Sequence, residues 1–436
     1  MSNDILKNKI SNASEINLAK LEIITQSGVS IDVSTFFVSL EIYESMFSNT
    51  LTGSLTIHDK NNLLGNVSIN GKEKINVIFN TPSAPEISKS FYIHEISLNQ
   101  RVPGKKESFI KMNFSTLPFF LSYSQKVSRS YSNKSMSQIA LSIFINYLSN
   151  KNDLLEYVIT SIPDTGPKIS LVIPNWTPIQ TLNWLAKKAE KNGNCDYMFF
   201  ESMEGFFFAP LSFFKSQLSV TTYKYVEEKV TQGLSKDVDA EMTKIMTFVD
   251  ISDVDKKSQL EMEGVFASRM LVHDTTFKSI ELNEFSYLKD LADSEIPTLE
   301  KNLIAPYTYI NKIDPSTKYI YKTKSEYSFD GVKEQYSPFN YQKRLSHLLR
   351  NNTKVLRLDV PGDSRRRVGD VINVEILSPE FLGAKDDTDV LDKYLSGRYM
   401  ISSIGHHIVR NDGYYMGLEV MKDSQYNPVS DLVSIG

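Results

Sequence analysis

The densest run of reactive side chains in the sequence is Arg365-Arg366-Arg367, set directly after Pro361-Gly362-Asp363. Proline and glycine place the run in a turn between strands. Guanidinium forks suit an ion pair with another subunit or a contact with the phosphates of passing DNA; a solvated turn would use the same residues with neither partner. Arg365, Arg366 and Arg367 are therefore the candidate interface or lumen residues. His406 and His407 are adjacent histidines, a pairing that could chelate a metal or move protons. Neighbours on a strand point to opposite faces, so these two could not share one ion. Asp386, Asp387 and Asp389 form the densest acidic cluster, in a Gly- and Lys-flanked loop that suits solvation or calcium. Gly65 to Gly71-Lys72-Glu73 approaches a phosphate-binding loop, but its glycines stand one residue too far apart, and Glu73 replaces the hydroxyl that would hold magnesium.

The catalytic arrangements themselves are missing. The sequence contains no G-x-S-x-G elbow, no H-E-x-x-H, no EF-hand loop and no cysteine pair for zinc. No residue is assigned a catalytic, cofactor or metal role, and the chain is expected not to be an enzyme. The lone cysteine, Cys195, excludes an intrachain disulfide framework and suits a reducing cytoplasm. With 48 basic and 52 acidic residues the net charge is −4, so no global field would hold nucleic acid. The first ten residues mix charges without an apolar stretch, unlike a signal peptide. The most apolar run, Phe206 to Phe214 (FFFAPLSFF), is about half the length needed to cross a bilayer; it reads as a buried strand and loop or as an assembly surface.

At 436 residues, 41% of them hydrophobic, 23% charged and 11% aromatic, the chain is long enough for several packed domains. Short β-branched and aromatic segments separated by turn residues run from about Leu21 to Ser115, predicting a first antiparallel barrel over 15–115 after a tail over 1–14. The period then changes. Met136, Ile139, Ala140, Ile143, Phe144 and Tyr147 fall on a helical stripe, with Ser135 and Gln138 as a capping box. A second helix is predicted from Thr177-Pro178 to about Lys191, followed by a hairpin of Tyr197–Glu201 and Gly205–Ala209, so 116–210 reads as a small α+β domain. Strands at Lys244–Ile251, Phe266–His273 and Ser279–Phe285, a short helix over Asp253–Glu263, and strands from Val355 onward assign 211–290 and 345–425 to a second barrel. An insertion without clear periodicity, rich in tyrosines (Tyr307, Tyr309, Tyr319, Tyr321), interrupts it over 291–344, and 426–436 is a tail. Gly71 leads into Ile75-Asn76-Val77 as Gly369 leads into Ile372-Asn373-Val374, a weak echo of a duplicated barrel. The expected fold class is β-rich α+β: two related antiparallel β-barrels, a small α+β domain and an insertion.

Several stretches together resemble a known family. They are Leu40–Phe47 (LEIYESMF), Leu51–Ile57 (LTGSLTI) and Gly71–Ile75 (GKEKI); Ile173–Ile179 (IPNWTPI) leading to Asn183–Ala186 (NWLA); Gly264–Arg269 (GVFASR) with Asp274; Val360–Asp363 (VPGD) with Gly369-Asp370; and Arg398–His406 (RYMISSIGH) with Tyr415–Glu419 (YMGLE). They are similar to the baseplate central hub of contractile-tailed (myovirus) bacteriophages, related to the phage late-control tail protein and the hub portion of VgrG. The resemblance covers most of the chain and consists of scaffold signatures. It implies a homotrimeric ring of approximate sixfold character, adapting the sixfold tail tube to a trimeric spike and forming part of the DNA ejection conduit. The partners it implies are two further copies of the chain, the trimeric tail spike, the tail tube protein, and the tape measure or other baseplate proteins. DNA would pass without sequence-specific binding, and the location would be the virion tail baseplate, assembled in the host cytoplasm. The chain has no lysozyme-like carboxylate arrangement and no appended spike repeat, so piercing and wall digestion would belong to a partner. Two other readings use the same residues: a receptor- or glycan-binding attachment module using the tyrosines of the insertion, and the hub of a contractile secretion or toxin-injection apparatus.

Overall fold

Alternation of inward apolar and outward polar side chains dictates most of this fold. In Lys74–Asn80, Ile75, Val77 and Phe79 are buried while Lys74, Asn76, Ile78 and Asn80 are only partly covered. The computed structural model describes residues 13–60, 69, 71–82, 84–101, 103–105, 107–149, 159–166, 168–225, 238–251, 264, 266–274, 278–287, 299, 302–303, 319–323, 340–351, 354–378, 391–392 and 394–425. The Asp386, Asp387 and Asp389 cluster, Gly65, the expected helix over Asp253–Glu263, Tyr307 and Tyr309 lie outside these residues.

The first unit comprises β1 (Asn17–Ile24), β2 (Ser30–Asp32), β3 (Phe37–Ser45), β4 (Thr52–Asp59), β5 (Lys74–Asn80), β6 (Ile87–Arg101) and β7 (Ser108–Ser115). A second unit follows, with α1 (Leu117–Ser124), β8 (Val127–Lys134), α2 (Met136–Ile143) running into a π turn at Phe144–Leu148, β9 (Ile159–Ser161), β10 (Ile169–Trp176), α3 (Pro178–Lys188), β11 (Tyr197–Glu201) and β12 (Phe206–Pro210). The chain continues through α4 (Leu211–Lys215), β13 (Ser219–Tyr225), α5 (Val238–Met242), β14 (Thr247–Asp250), β15 (Ala267–Asp274), β16 (Ser279–Ser286), β17 (Asn302–Leu303) and β18 (Tyr319–Thr323). It ends with α6 (Asn340–Arg350), β19 (Lys354–Pro361), β20 (Val371–Ile376), β21 (Gly397–Val409), β22 (Gly413–Lys422) and β23 (Ser424–Gln425).

The fold is β-rich α+β, and its two barrel-like halves repeat one strand order. In the first half the neighbours run β1-β5-β6-β7-β4-β3, with β2 outside β1. In the second they run β13-β20-β21-β22-β19-β14. Numbered by position within each half, the two series are the same permutation. A bridge between Lys224 and Lys244 brings the end of β13 to the approach of β14 and curls the second half on itself. The echo noted in sequence falls on corresponding strands, β5 and β20, each entered through a left-handed glycine, Gly71 (φ 93) and Gly369 (φ 97). One expectation is corrected: β13 and β20 pair in parallel, whereas β1 and β5 are antiparallel. The halves are not separate sheets either. β3 pairs with β21 from Ser45↔Ser403 to Ser39↔Val409, making one 13-stranded sheet.

The α+β unit has its own core. Ser135 caps α2 with a reciprocal capping box, and Thr177 caps α3 through the Gln180 N–H. α3 stops at Lys188 rather than Lys191, because the chain needs Lys191–Asn194 for a tight turn with Asn192 and Gly193 at positive φ. The β11–β12 hairpin serves two cores with its two faces: Phe199, Phe206 and Phe208 pack into the α+β core, while Phe200, Phe207 and the following Phe214 pack into the barrel core. That double burial accounts for the uninterrupted apolar run.

The second-barrel assignment of 211–290 needs a correction. β15 and β16 do not join the barrel; they form a separate sheet in the order β16-β15-β18, with β18 drawn from the expected insertion. Alternation identifies a strand but not its neighbour. Helices α1, α4, α5 and α6 add to the helices expected from sequence. Among the described residues no helix is long and apolar enough to cross a membrane.

Candidate functional site

The arginine run occupies the turn between β19 and β20, as its proline and glycine require, and the turn folds around one carboxylate. Asp363 accepts from Arg365 Nε at 2.8 Å, the second Arg365 fork nitrogen at 3.0 Å, the Arg365 backbone N–H at 3.0 Å and Arg366 Nε at 3.2 Å. Burial works to raise the Asp363 carboxyl, but these hydrogen bonds and the Arg366 charge outweigh it and hold it below its ordinary range. Arg367 turns back on its own loop, donating to the Ser364 and Arg366 carbonyls while its N–H is accepted by Asp370. Arg366 is buried and Arg365 is half exposed, so Arg365 is the member of the run that presents charge outward. Burial pushes the Asp370 carboxyl up to about 6 despite the neighbouring arginines.

This loop is bolted across the two barrels. Ser364 exchanges hydrogen bonds with Thr81, just past β5, at 2.9 Å between hydroxyls and 3.0 Å from the Thr81 N–H. Gly362 lies against the face of Tyr414, where an added Cβ would come within 2.1 Å of the ring. Gly369 likewise lies against Phe214, with a Cβ position 2.5 Å from that ring.

Behind the loop, a chain of buried polar groups joins all three units. His406 projects inward from β21, its Nε2 3.0 Å from Glu44 Oε1 on β3 and its Nδ1 2.7 Å from the Tyr414 hydroxyl on β22. Glu44 Oε2 accepts from the Met203 N–H in the β11–β12 turn at 3.0 Å. His407 points the other way and makes an edge contact with Tyr43, so the two histidines do not converge. Among the described residues no group of three or more His, Cys, Asp or Glu side chains could hold a metal ion.

Two further clusters fasten the units. Glu201 Oε2 accepts from the Leu51 N–H at 2.9 Å and the Thr116 hydroxyl at 2.6 Å, tying the α+β hairpin to the first barrel. Asp423 is buried and accepts from Lys215 Nζ at 2.8 Å and Arg350 at 3.4 Å. Burial opposes its charge, but Lys215 and Arg350 hold the carboxyl well below its ordinary range. Helix α6 is anchored by polar groups: Arg344 donates to the Ala186, Cys195 and Tyr197 carbonyls at 3.2, 2.8 and 2.7 Å. Of the residues in these clusters, Asp363, the Arg365–Arg367 run and the adjacent His406 and His407 carried a local sequence signal. Lys215 and Asp423 are 208 positions apart, and nothing in either neighbourhood marks them as partners.

No protein-family model and no curated protein matches the chain. Solved structures do match it. A tail protein from Neisseria meningitidis aligns with 93% of this chain and 96% of its own length at a TM-score of 0.54 and 10% identity. A 43 kDa tail protein of prophage MuSo2 from Shewanella oneidensis aligns with 93% of this chain and 99% of its own at a TM-score of 0.55 and 10% identity. A Francisella PdpA–VgrG complex aligns with 98% of this chain and 56% of its own chain at a TM-score of 0.44 and 10% identity. At such identities the shared property is the fold, and nearly the whole chain shares it with the two tail proteins.

Proposed function

We propose that the chain is the structural hub of a phage tail baseplate, a homotrimeric ring that adapts a sixfold tail tube to a trimeric spike and forms part of the DNA ejection conduit. The observation that carries this reading is the repeated strand order, β1-β5-β6-β7-β4-β3 against β13-β20-β21-β22-β19-β14. Three chains with two equivalent barrels each present six similar units on a threefold axis, which is what a junction between sixfold and threefold parts requires. The pairing of β3, the last strand of the first series, with the Ser403–Val409 stretch of β21 joins the two barrels of one chain in one sheet, so they can serve as consecutive staves of one wall. The tail-protein likenesses in fold support the same reading.

In this role the chain is not an enzyme and holds no cofactor. Its partners are two further copies, the trimeric tail spike, the tail tube protein and the tape measure or other baseplate proteins, in the virion tail baseplate. The near balance of 48 basic and 52 acidic residues suits a wall that lets DNA pass without holding it. Arg365 is the arginine placed to meet a neighbouring subunit or the lumen, while Arg366 and Arg367 hold the loop that presents it. Particle averages of the purified chain viewed down the ring axis test the proposal: six similar lobes around a hole support it, and a particle with no such repetition overturns it.

A further inference from the structure

The two halves of the chain match residue by residue, and the match leaves one junction formed and its counterpart open. In the first half the Lys72 N–H donates to the Ile93 carbonyl at 2.7 Å and the Ile93 N–H to the Glu73 carbonyl at 2.9 Å; in the second, Gly369 and Asp370 make the same exchange with Ile401, both bonds at 2.9 Å. The β6–β7 ladder then slips between Ile93 and Glu95, and the β21–β22 ladder between Ile401 and Ser403. At that bulge each long strand parts from its neighbour: β6 pairs with β5 over 87–92, and β21 with β20 over 397–400. On β21 the edge so released, 403–409, is taken by β3. On β6 the same edge, 95–101, has no strand beside it among the described residues, and neither has the outer edge of β14, the counterpart of β3.

We propose that β14 of one copy adds antiparallel to the 95–101 edge of β6 in the next copy, repeating between chains the β3–β21 junction made within each chain. This rests on the reading of the chain as one member of a closed ring. The internal junction also supplies the register. Through their ladder partners on β4 and β19, Glu41 and Tyr43 correspond to Val249 and Ile251. Through theirs on β7 and β22, Gly405 and His407 correspond to Leu98 and Gln100, β6 carrying one more slip between Ile96 and Leu98. Tyr43 stands opposite Gly405 and Glu41 opposite His407, so Ile251 of one copy stands opposite Leu98 of the next, and Val249 opposite Gln100. In the single chain Ile251, Val249 and Leu98 are 43%, 57% and 40% exposed. Unpaired edges that carry exposed apolar side chains are what an added strand covers. A contact between two different edges, repeated from copy to copy, is the kind that closes a ring.

Cysteine pairing on the full chain tests the junction. Opposed residues of an antiparallel pair lie about 4.5–5.5 Å apart at Cα, within reach of a disulfide, and the native Cys195 is buried. Copies carrying Ile251→Cys and copies carrying Leu98→Cys are co-expressed and mildly oxidised, and the untreated wild type is weighed by light scattering. The expected result is a shift from the 49.6 kDa chain to a band of twice that mass, reversed by reduction and absent from either variant alone. Ile280→Cys, on an exposed position of β16, is expected to give no such band in place of Leu98→Cys. An oligomer whose cysteines do not pair overturns the junction and leaves the ring reading standing, and so does an equal band with Ile280→Cys. The band in an assembly of other than three copies upholds the junction and overturns the trimer. A monomer without the band overturns both.

Discussion

Substituting Asp363 by asparagine tests how the arginine loop is held. The carboxylate takes four donors, three of them guanidinium nitrogens at 2.8, 3.0 and 3.2 Å. An amide in its place would keep the shape and lose the charge, leaving the Arg366 guanidinium with Asp370 at 3.9 Å as its remaining anion. Arg366 is 7% exposed, so removing its partner leaves a largely buried charge, which costs about 3–5 kcal/mol where burial is complete. Arg365, with about half of its side chain in water, adds under about 1 kcal/mol. A total near 3 kcal/mol corresponds to roughly a 100-fold loss of protection. Both tryptophans lie in the α+β unit and would miss the event, so the assay is hydrogen exchange read locally over Pro361–Val371 and at Thr81 across the barrel junction. The sign with pH also follows. Asp363 is held low in the folded chain, so its contribution is present above the ordinary aspartate range and is lost on acidification; Asp363→Asn should lack that acid-side loss. A change below about 5-fold in protection, or one confined to Arg365, would refute the view that this carboxylate organises the loop.

Three further outcomes are expected. Asp423→Asn, which removes the carboxylate paired with the buried Lys215 and Arg350, should lower the urea midpoint by an amount corresponding to about 3–5 kcal/mol, and adding Lys215→Met should recover part of it. Gly362→Ala, whose Cβ would come within 2.1 Å of the Tyr414 ring, should cost more than about 3 kcal/mol or prevent the second barrel from folding, read by circular dichroism and thermal melting. Arg344→Ala, which removes donors to three backbone carbonyls, should expose α6 to exchange while leaving the emission of Trp176 and Trp184 unchanged.

What is legible in the sequence is local. The strand alternation of β5, the Ser135 capping box and the Thr177-Pro178 helix start are set by residues a few positions apart, and each lies where its pattern puts it. Helix α6 carries an apolar stripe at helical spacing, Tyr341, Leu345, Leu348 and Leu349, but its most buried side chains are polar, Gln342, Arg344, Ser346, His347 and Arg350, and their burial has no signal in the sequence. β15 and β16 read as strands, yet their place outside the barrel does not show, since partner choice is decided by pairing with β18. The echo of Gly71 and Gly369 touches corresponding strands, but the duplication itself lies in strand order, which only the pairing reveals. For the site, sequence locates the arginine turn and the divergence of His406 and His407. Glu44, Glu201 and Asp423 stay invisible because their partners arrive from distant segments.

The central claim is tested most directly by the mass of the native protein in solution, measured by light scattering, with particle averages of the same sample. A mass three times the 49.6 kDa of one chain and an annular particle with an open centre are expected. A solid oligomer without a channel would contradict it.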